Sequence, residues 1–225
     1  MSDYFTDLAQ QLFNEKLQTE LRITNYESRT PVHVVYGGAD RFTAETPAKL
    51  GVLALQSLEN YAPNFVEFAN AMWLKGCDTL PIYEDAIADL EFRLIENPDK
   101  IKAENFPAWF AWTIYNRTIE KLKREPVEDF RIDFEDGFGI RSDDEEDSFS
   151  LSASDELAKT SLPFCGFRIK SFQNETYARA VRTLELFLSN LLQKTNRVLP
   201  ENFVVTLPKV TRAEEVAVLD ELLSE

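Results

Sequence analysis

Two cysteines, Cys77 and Cys165, and one histidine, His33, are the only thiol and imidazole side chains in 225 residues. That scarcity excludes a disulfide framework, a thiolate metal knot, an HExxH zinc site and any multi-histidine centre made by one chain. No run of about 18 uncharged apolar residues occurs, so no membrane span is expected. Positive charge is also short: 24 Lys and Arg stand against 39 Asp and Glu, a net charge of −15. Such a balance repels phosphate, so neither nucleic acid nor an anionic membrane is an expected partner, although local basic groups can still hold a small anion. The opening residues, Met1 to Asp7, are acidic and do not look like a signal peptide, which makes the cytoplasm the expected location.

What is present suits a folded enzyme-sized chain. Apolar residues make up 44% and charged residues 28%, too apolar for a disordered chain and enough for one large domain or two small ones. Leu8, Leu12, Phe13, Leu17 and Leu21 recur at helical spacing and predict a leading helix over 1–24. Pro31 to Tyr36 reads as an extended run that breaks at Gly37-Gly38. From 47 to 124 the pattern is mostly helical, starting at Thr46-Pro47 as cap and first turn. Further segments carry Phe65, Phe68, Ala69, Met72 and Trp73, then about Tyr83–Ile95, then about Pro107–Lys123, with Gly76, Pro81, Pro98 and Pro107 as punctuation. Trp73, Trp109, Trp112, Phe106, Phe110 and Tyr115 crowd this stretch. Core packing accounts for most of them, and a docking surface or a lid over a long substrate remain open alternatives.

The rhythm then changes. Glu128–Phe134, Phe164–Lys170 and Phe203–Leu207 are extended, and each is followed by a helix: one ending near Lys159, one over Glu175–Gln193 and one over Thr211–Leu223. Thr211 and Glu214 fit a capping box for the last of these. Strand–helix alternation of this kind implies parallel strands with crossover helices, and the first strand makes four βα units.

Alternation along each strand separates two faces. Phe130, Ile132 and Phe134 oppose Arg131, Asp133 and Glu135; Cys165, Phe167 and Ile169 oppose Gly166, Arg168 and Lys170. A parallel sheet covered on both faces is normally a continuous apolar run. Here the carboxyl ends of the strands carry charge instead: Asp133, Glu135 and Asp136, then Arg168 and Lys170, then Lys209. Ligands bind at this end in open α/β sheets and in barrels. Neither sign is cheap to bury alone, so the carboxylates and cations imply each other or a charged ligand.

These residues resemble a known family. Phe130-Arg131-Ile132-Asp133-Phe134-Glu135-Asp136-Gly137 looks like the second-strand signature of the HpcH/HpaI aldolase and citrate lyase beta subunit superfamily. Gly166-Phe167-Arg168-Ile169-Lys170 resembles its next strand. Thr206-Leu207-Pro208-Lys209-Val210 with Ala213-Glu214-Glu215-Val216 is similar to the following strand and helix, and Val35-Tyr36-Gly37-Gly38-Ala39-Asp40-Arg41-Phe42 to the opening one. The resemblance covers about 32–42 and 128–223 and implies a (β/α)8 TIM-type barrel. Residues 1–225 would form its N-terminal portion, about four βα units, with 45–125 as a mainly helical insertion. It implies a lyase or aldolase that makes or breaks a carbon–carbon bond beside a carbonyl, using Mg2+ or a similar ion. The substrate would be a small anion, a 2-oxo acid or a hydroxy-acyl-CoA thioester, and a homo-oligomer is one assembly it allows. Arg168, Asp133 and Glu135 would be the catalytic set, with Arg41, Asp136, Lys170 and Lys209 contacting substrate.

The same resemblance places the principal metal ligands on a fifth and a sixth strand, so they are expected beyond Glu225 and none within this chain. Four parallel strands do not close a barrel, and a longer barrel or a second chain is the expected completion. A non-catalytic, barrel-like subunit that binds acidic metabolites or partner proteins is the alternative. For single residues the plainer readings are a solvated acidic turn before Gly137, a structural ion pair for Arg168, and water-facing positions for Lys209 and Arg41. His33 is expected to be a packed or half-exposed strand residue, and Cys77 and Cys165 small apolar fillers. Asp143–Asp147 is expected to be a solvated run that helps start the next helix through its dipole. Lys170 and Lys209 are formally available for a Schiff base, but their acidic neighbours favour the charged amines.

Overall fold

In the computed structural model, which describes residues 29–224, one compact unit begins at His33. The leading helix expected over 1–24 lies outside the described residues. Four strands, β1 (Val34–Gly38), β2 (Asp129–Asp133), β3 (Phe164–Arg168) and β4 (Phe203–Thr206), form one sheet in the order β1-β2-β3-β4. Every pairing is parallel. Parallel neighbours need crossovers, and helices supply them: α6 (Asp143–Leu157) joins β2 to β3, α7 (Tyr177–Lys194) joins β3 to β4, and α8 (Ala213–Ser224) follows β4. This is the arrangement of the first four units of an α/β barrel. Between β1 and β2 lie five further helices, α1 (Thr46–Tyr61), α2 (Phe65–Ala71), α3 (Glu84–Glu96), α4 (Pro98–Glu104) and α5 (Phe106–Arg124). Among the described residues no helix is long and apolar enough to cross a membrane.

The outer face of the sheet is a dense aromatic core. Phe130, Ile132, Phe134, Cys165, Phe167 and Ile169 are buried against Ala153, Leu157, Ala180, Leu184, Phe187 and Leu191 of α6 and α7. Phe167 stacks on Phe187 with centroids 4.1 Å apart, and Phe134 meets Phe187 edge-on at 6.0 Å. Each fully buried aromatic or aliphatic side chain stabilises by about 1.5–3 kcal/mol relative to an exposed one. The same layer makes Cys165 inert, because burial pushes its thiol up to about 12.

Helices α1 to α5 hold a second, separate core around Phe65, Ala69, Leu90, Leu94, Ile101 and Ala108. Asparagines start three of them: Asn64 accepts from Val66 and Glu67, Asn97 from Lys100, and Asn105 from Ala108. This insertion is joined to the sheet at its amino-terminal edge. The Ala44 N–H donates to Glu156 near the far end of α6, and Gly51 of α1 packs on Pro126 just ahead of β2. That attachment is at the opposite end from the charged strand termini.

Three local readings change. β1 starts three residues later than the expected run and ends two residues later, taking in both glycines. Gly37 faces the Phe130 ring, and a Cβ on Gly38 would lie 2.4 Å from the Gly137 carbonyl, so these glycines permit close packing within the strand rather than ending it. Pro98 does not merely punctuate: it occupies the first turn of α4, behind the Asn97 cap, where its missing N–H has no helical partner to lose. The capping box is realised at α6, where Ser142 and Glu145 hold each other's backbone N–H. At the last helix Thr211 instead donates its hydroxyl to Glu215, at 2.8 Å, rather than pairing with Glu214.

Candidate functional site

Strand register assembles the site. Gly38, Asp133, Arg168 and Thr206 lie in one row across the four strands. Neighbours in a row share a face, so Asp133 and Arg168 project side by side from the inner face at its carboxyl end. Arg168 donates through Nε to Asp133 Oδ1 at 2.7 Å and through Nη2 to Oδ2 at 2.6 Å. Asp133 is further held by the N–H groups of Glu135 at 2.9 Å and Gly137 at 2.7 Å. A Cβ at Gly137 would sit 2.7 Å from Asp133 Oδ2, so only glycine lets this backbone close on the carboxylate.

Each Asp133 oxygen therefore accepts two bonds. Burial opposes its ionisation, but the bonds from Arg168 and the two N–H groups outweigh it and hold the carboxyl below its ordinary value. The hydrogen bonds that Arg168 donates to Asp133 likewise raise the guanidinium, against the opposing effect of burial. Arg168 is then a fixed cation whose Nη1 makes no hydrogen bond among the described residues. The nearest carboxylate oxygen to it is Glu135 Oε2, at 3.7 Å.

The turn after β2 brings in two more acids. Lys209 Nζ lies 2.9 Å from Glu135 Oε1 and 3.1 Å from Asp136 Oδ1, and Arg168 Nη2 is 3.5 Å from Asp136. Lys209 adopts a left-handed backbone, φ 52°, uncommon for a residue with a Cβ. It turns the chain back toward the second strand's acids. Its amine is raised by the bonds it donates, to Glu135 first and Asp136 second, which opposes the neutral form a Schiff base requires. Glu135 keeps one exception to this pairing: its Oε2 is buried and accepts no hydrogen bond. Tyr36 lays its ring against the Arg168 guanidinium at 4.8 Å.

The other expected site residues are placed differently. Arg41 stands at the rim, 76% exposed, with Nη2 3.4 Å from the Gly137 carbonyl. Lys170 does not join Arg168. β3 ends at Arg168, so strand alternation no longer applies, and the Lys170 amine turns to the Phe134 carbonyl at 2.8 Å and Glu146 at 2.7 Å. Its chain still borders a cleft of about 340 Å³ with Glu135, Asp136, Ile140 and Ser171.

Glu146 corrects the expectation of a solvated acidic run. It is 1% exposed, accepts from Thr183 at 2.6 Å, and lies 3.6 Å from Arg179. Its place in the buried stripe Glu146, Ser150, Ala153, Leu157 was readable from helical spacing. Also unforeseen is Asp129, fully buried and paired twice with Arg131 at 2.6 Å. Arg131 reaches across β3 to Thr206 at 3.4 Å, over the row position that Gly166 leaves without a side chain. His33 is 40% exposed on its side chain and 3.9 Å from Glu128.

Asp133 is not available to a magnesium ion. Mg2+ needs carboxylate oxygens free to bind it, whereas both Asp133 oxygens are saturated and Glu135 and Asp136 each give one oxygen to Lys209, leaving Glu135 Oε2 as a buried oxygen without a donor among the described residues. Among the described residues no three His, Cys, Asp or Glu side chains are grouped to hold a metal. What the arrangement offers is a clamped guanidinium whose Nη1 has no hydrogen-bond partner among the described residues, beside a buried carboxylate oxygen with no donor.

Comparison with curated proteins and with solved structures gave no match. Residues 15–225 match the model of a domain of unknown function, DUF6986, and with nearly the whole chain covered the protein belongs to that family.

Proposed function

We propose that this site belongs to a carbon–carbon bond lyase of the aldolase and citrate lyase type, acting on a small 2-oxo acid or a hydroxy-acyl-CoA thioester. The observation that carries the reading is the side-on Asp133–Arg168 pair at the carboxyl ends of adjacent parallel strands, which leaves Arg168 Nη1 without a hydrogen-bond acceptor among the described residues. In this reading Arg168 binds the substrate carboxylate, or the oxygen that gains charge when the bond beside it breaks. Glu135 Oε2 takes the hydroxyl proton, the carbon–carbon bond opens, and its electron pair passes into the enolate held by Arg168. Asp133 is a positioning residue, and Lys209 balances Glu135 and Asp136. The divalent ion of the resembling family would need donors other than Asp133, and no step here runs through it. Two free cysteines accord with a reducing cytoplasm, which is part of the proposal.

The full saturation of Asp133 favours a second reading, a non-catalytic barrel-like subunit that binds acidic metabolites. The two are separated by assaying cleavage of 2-oxo acids and hydroxy-acyl thioesters, with and without magnesium, alongside substrate binding. Arg168→Lys should lower turnover by about 100-fold or more. Glu135→Gln should lose about 100-fold in turnover while retaining binding. Wild-type turnover in Arg168→Lys defeats the catalytic reading; binding without turnover in every form supports the subunit reading.

A further inference from the structure

At the opposite end of the sheet a second cleft of about 590 Å³ lies between the helical insertion and the loops that enter β2 and β3. Its walls are apolar: Val52 and Leu55 from α1, Leu122 from α5, and Leu162 ahead of β3. Val52 is 54% exposed there. Its rim carries Lys123, Arg124 and Lys159 and a single carboxylate, Glu125. Glu125 is bound by Lys121 at 3.3 Å and Lys159 by Glu156. Lys123 and Arg124 make no ion pair or side-chain hydrogen bond among the described residues. A chain of net charge −15 thus has a locally cationic rim on an apolar hollow of the size that takes small ligands.

We propose that this cleft binds a small amphipathic carboxylate, its chain against Val52, Leu55 and Leu162 and its head group at Lys123 and Arg124. The apolar walls supply affinity in proportion to chain buried, and the two cations select the charged head. The cleft bridges the insertion and the segments leading directly into the strands of Asp133 and Arg168, so an occupant ties the two cores together. The site is independent of the proposed chemistry, because none of its residues belongs to the carboxyl-end cluster.

The test is calorimetric titration of the protein with hexanoate, octanoate and decanoate below their aggregation limits. Affinity should rise about fourfold per added methylene. Octanamide, with the same chain and no charge, should bind at least fivefold more weakly. Lys123→Ala/Arg124→Ala should weaken octanoate by about fivefold to tenfold, and Leu55→Trp should block it by filling the hollow. Both sites are at the surface of the cleft, and a thermal melt run beside each titration reports whether the variant is folded. Absence of octanoate binding to the wild type, equal binding of octanamide, or unchanged binding in the double variant overturns the proposal. So does a change of oligomeric state in the double variant without a change in octanoate affinity, which would make the rim a contact between protein chains.

Discussion

The two faces of strands β2 and β3 are built from the same ten residues, yet they differ in kind. Outward, Phe130, Ile132 and Phe167 are buried in the apolar core that the sheet shares with α6 and α7. Inward, Asp129, Arg131, Asp133 and Arg168 form paired charges on a face where an ordinary barrel would place valine and isoleucine. Apolar packing alone would be served as well or better by hydrophobic pairs, since a buried ion pair rarely exceeds its desolvation cost. The outer face therefore carries the stability, and the inner face holds charges that packing alone does not require.

Substitutions can break that division. Phe167→Ala removes a ring fully buried and stacked on Phe187, and should cost about 3–5 kcal/mol in urea unfolding while leaving any residual ligand affinity of the folded fraction unchanged. Arg168→Met should cost less, about 2–3 kcal/mol, because the guanidinium is partly open to water. That loss comes from stranding the Asp133 carboxylate, and anion binding should vanish with it. If Arg168→Met proved harmless to both, the inner face would be inert.

Acid sharpens the same contrast. The folded-state pKa of Asp133 is depressed, so its contribution is complete above the unfolded-state value and is lost as pH falls through the folded one. Stability should drop below about pH 4, and that part of the drop should shrink in Asp133→Asn, as followed by urea midpoints at several pH values. Thiol labelling gives the smallest effect. At pH 8 a disulfide reagent should modify Cys77 readily and leave Cys165 untouched until the chain unfolds, because Cys165 is buried and its thiol is raised to about 12. Rapid labelling of both would mean that the outer face is loosely packed.

Much of this was legible before any coordinates. Period-two alternation at Phe130–Phe134 and at Cys165–Ile169 identified which side chains enter the core, and the charges at the strand ends are the ones that the register brings together at Asp133 and Arg168. Three things were not. Lys170 could not be separated from Arg168, because where a strand stops hydrogen-bonding is decided by its neighbours. Glu146 looked like one acid among five until α7 brought Thr183 and Arg179 beside it. The β1 glycines read as a break because the ring and carbonyl that press on them, Phe130 and Gly137, come from about a hundred residues away.

Local pattern was enough for the succession of strands and helices, the apolar outer face, and the kinds of charged groups at the carboxyl end, since each depends on side chains a few positions apart. Pairing was not. That Arg168 clamps Asp133, that Lys209 turns back to Glu135, and that the insertion hangs from the far edge of the sheet all depend on register and on contacts between distant segments. Hydrophobic periodicity selects which face is buried; only the packed sheet selects which partner each charge meets.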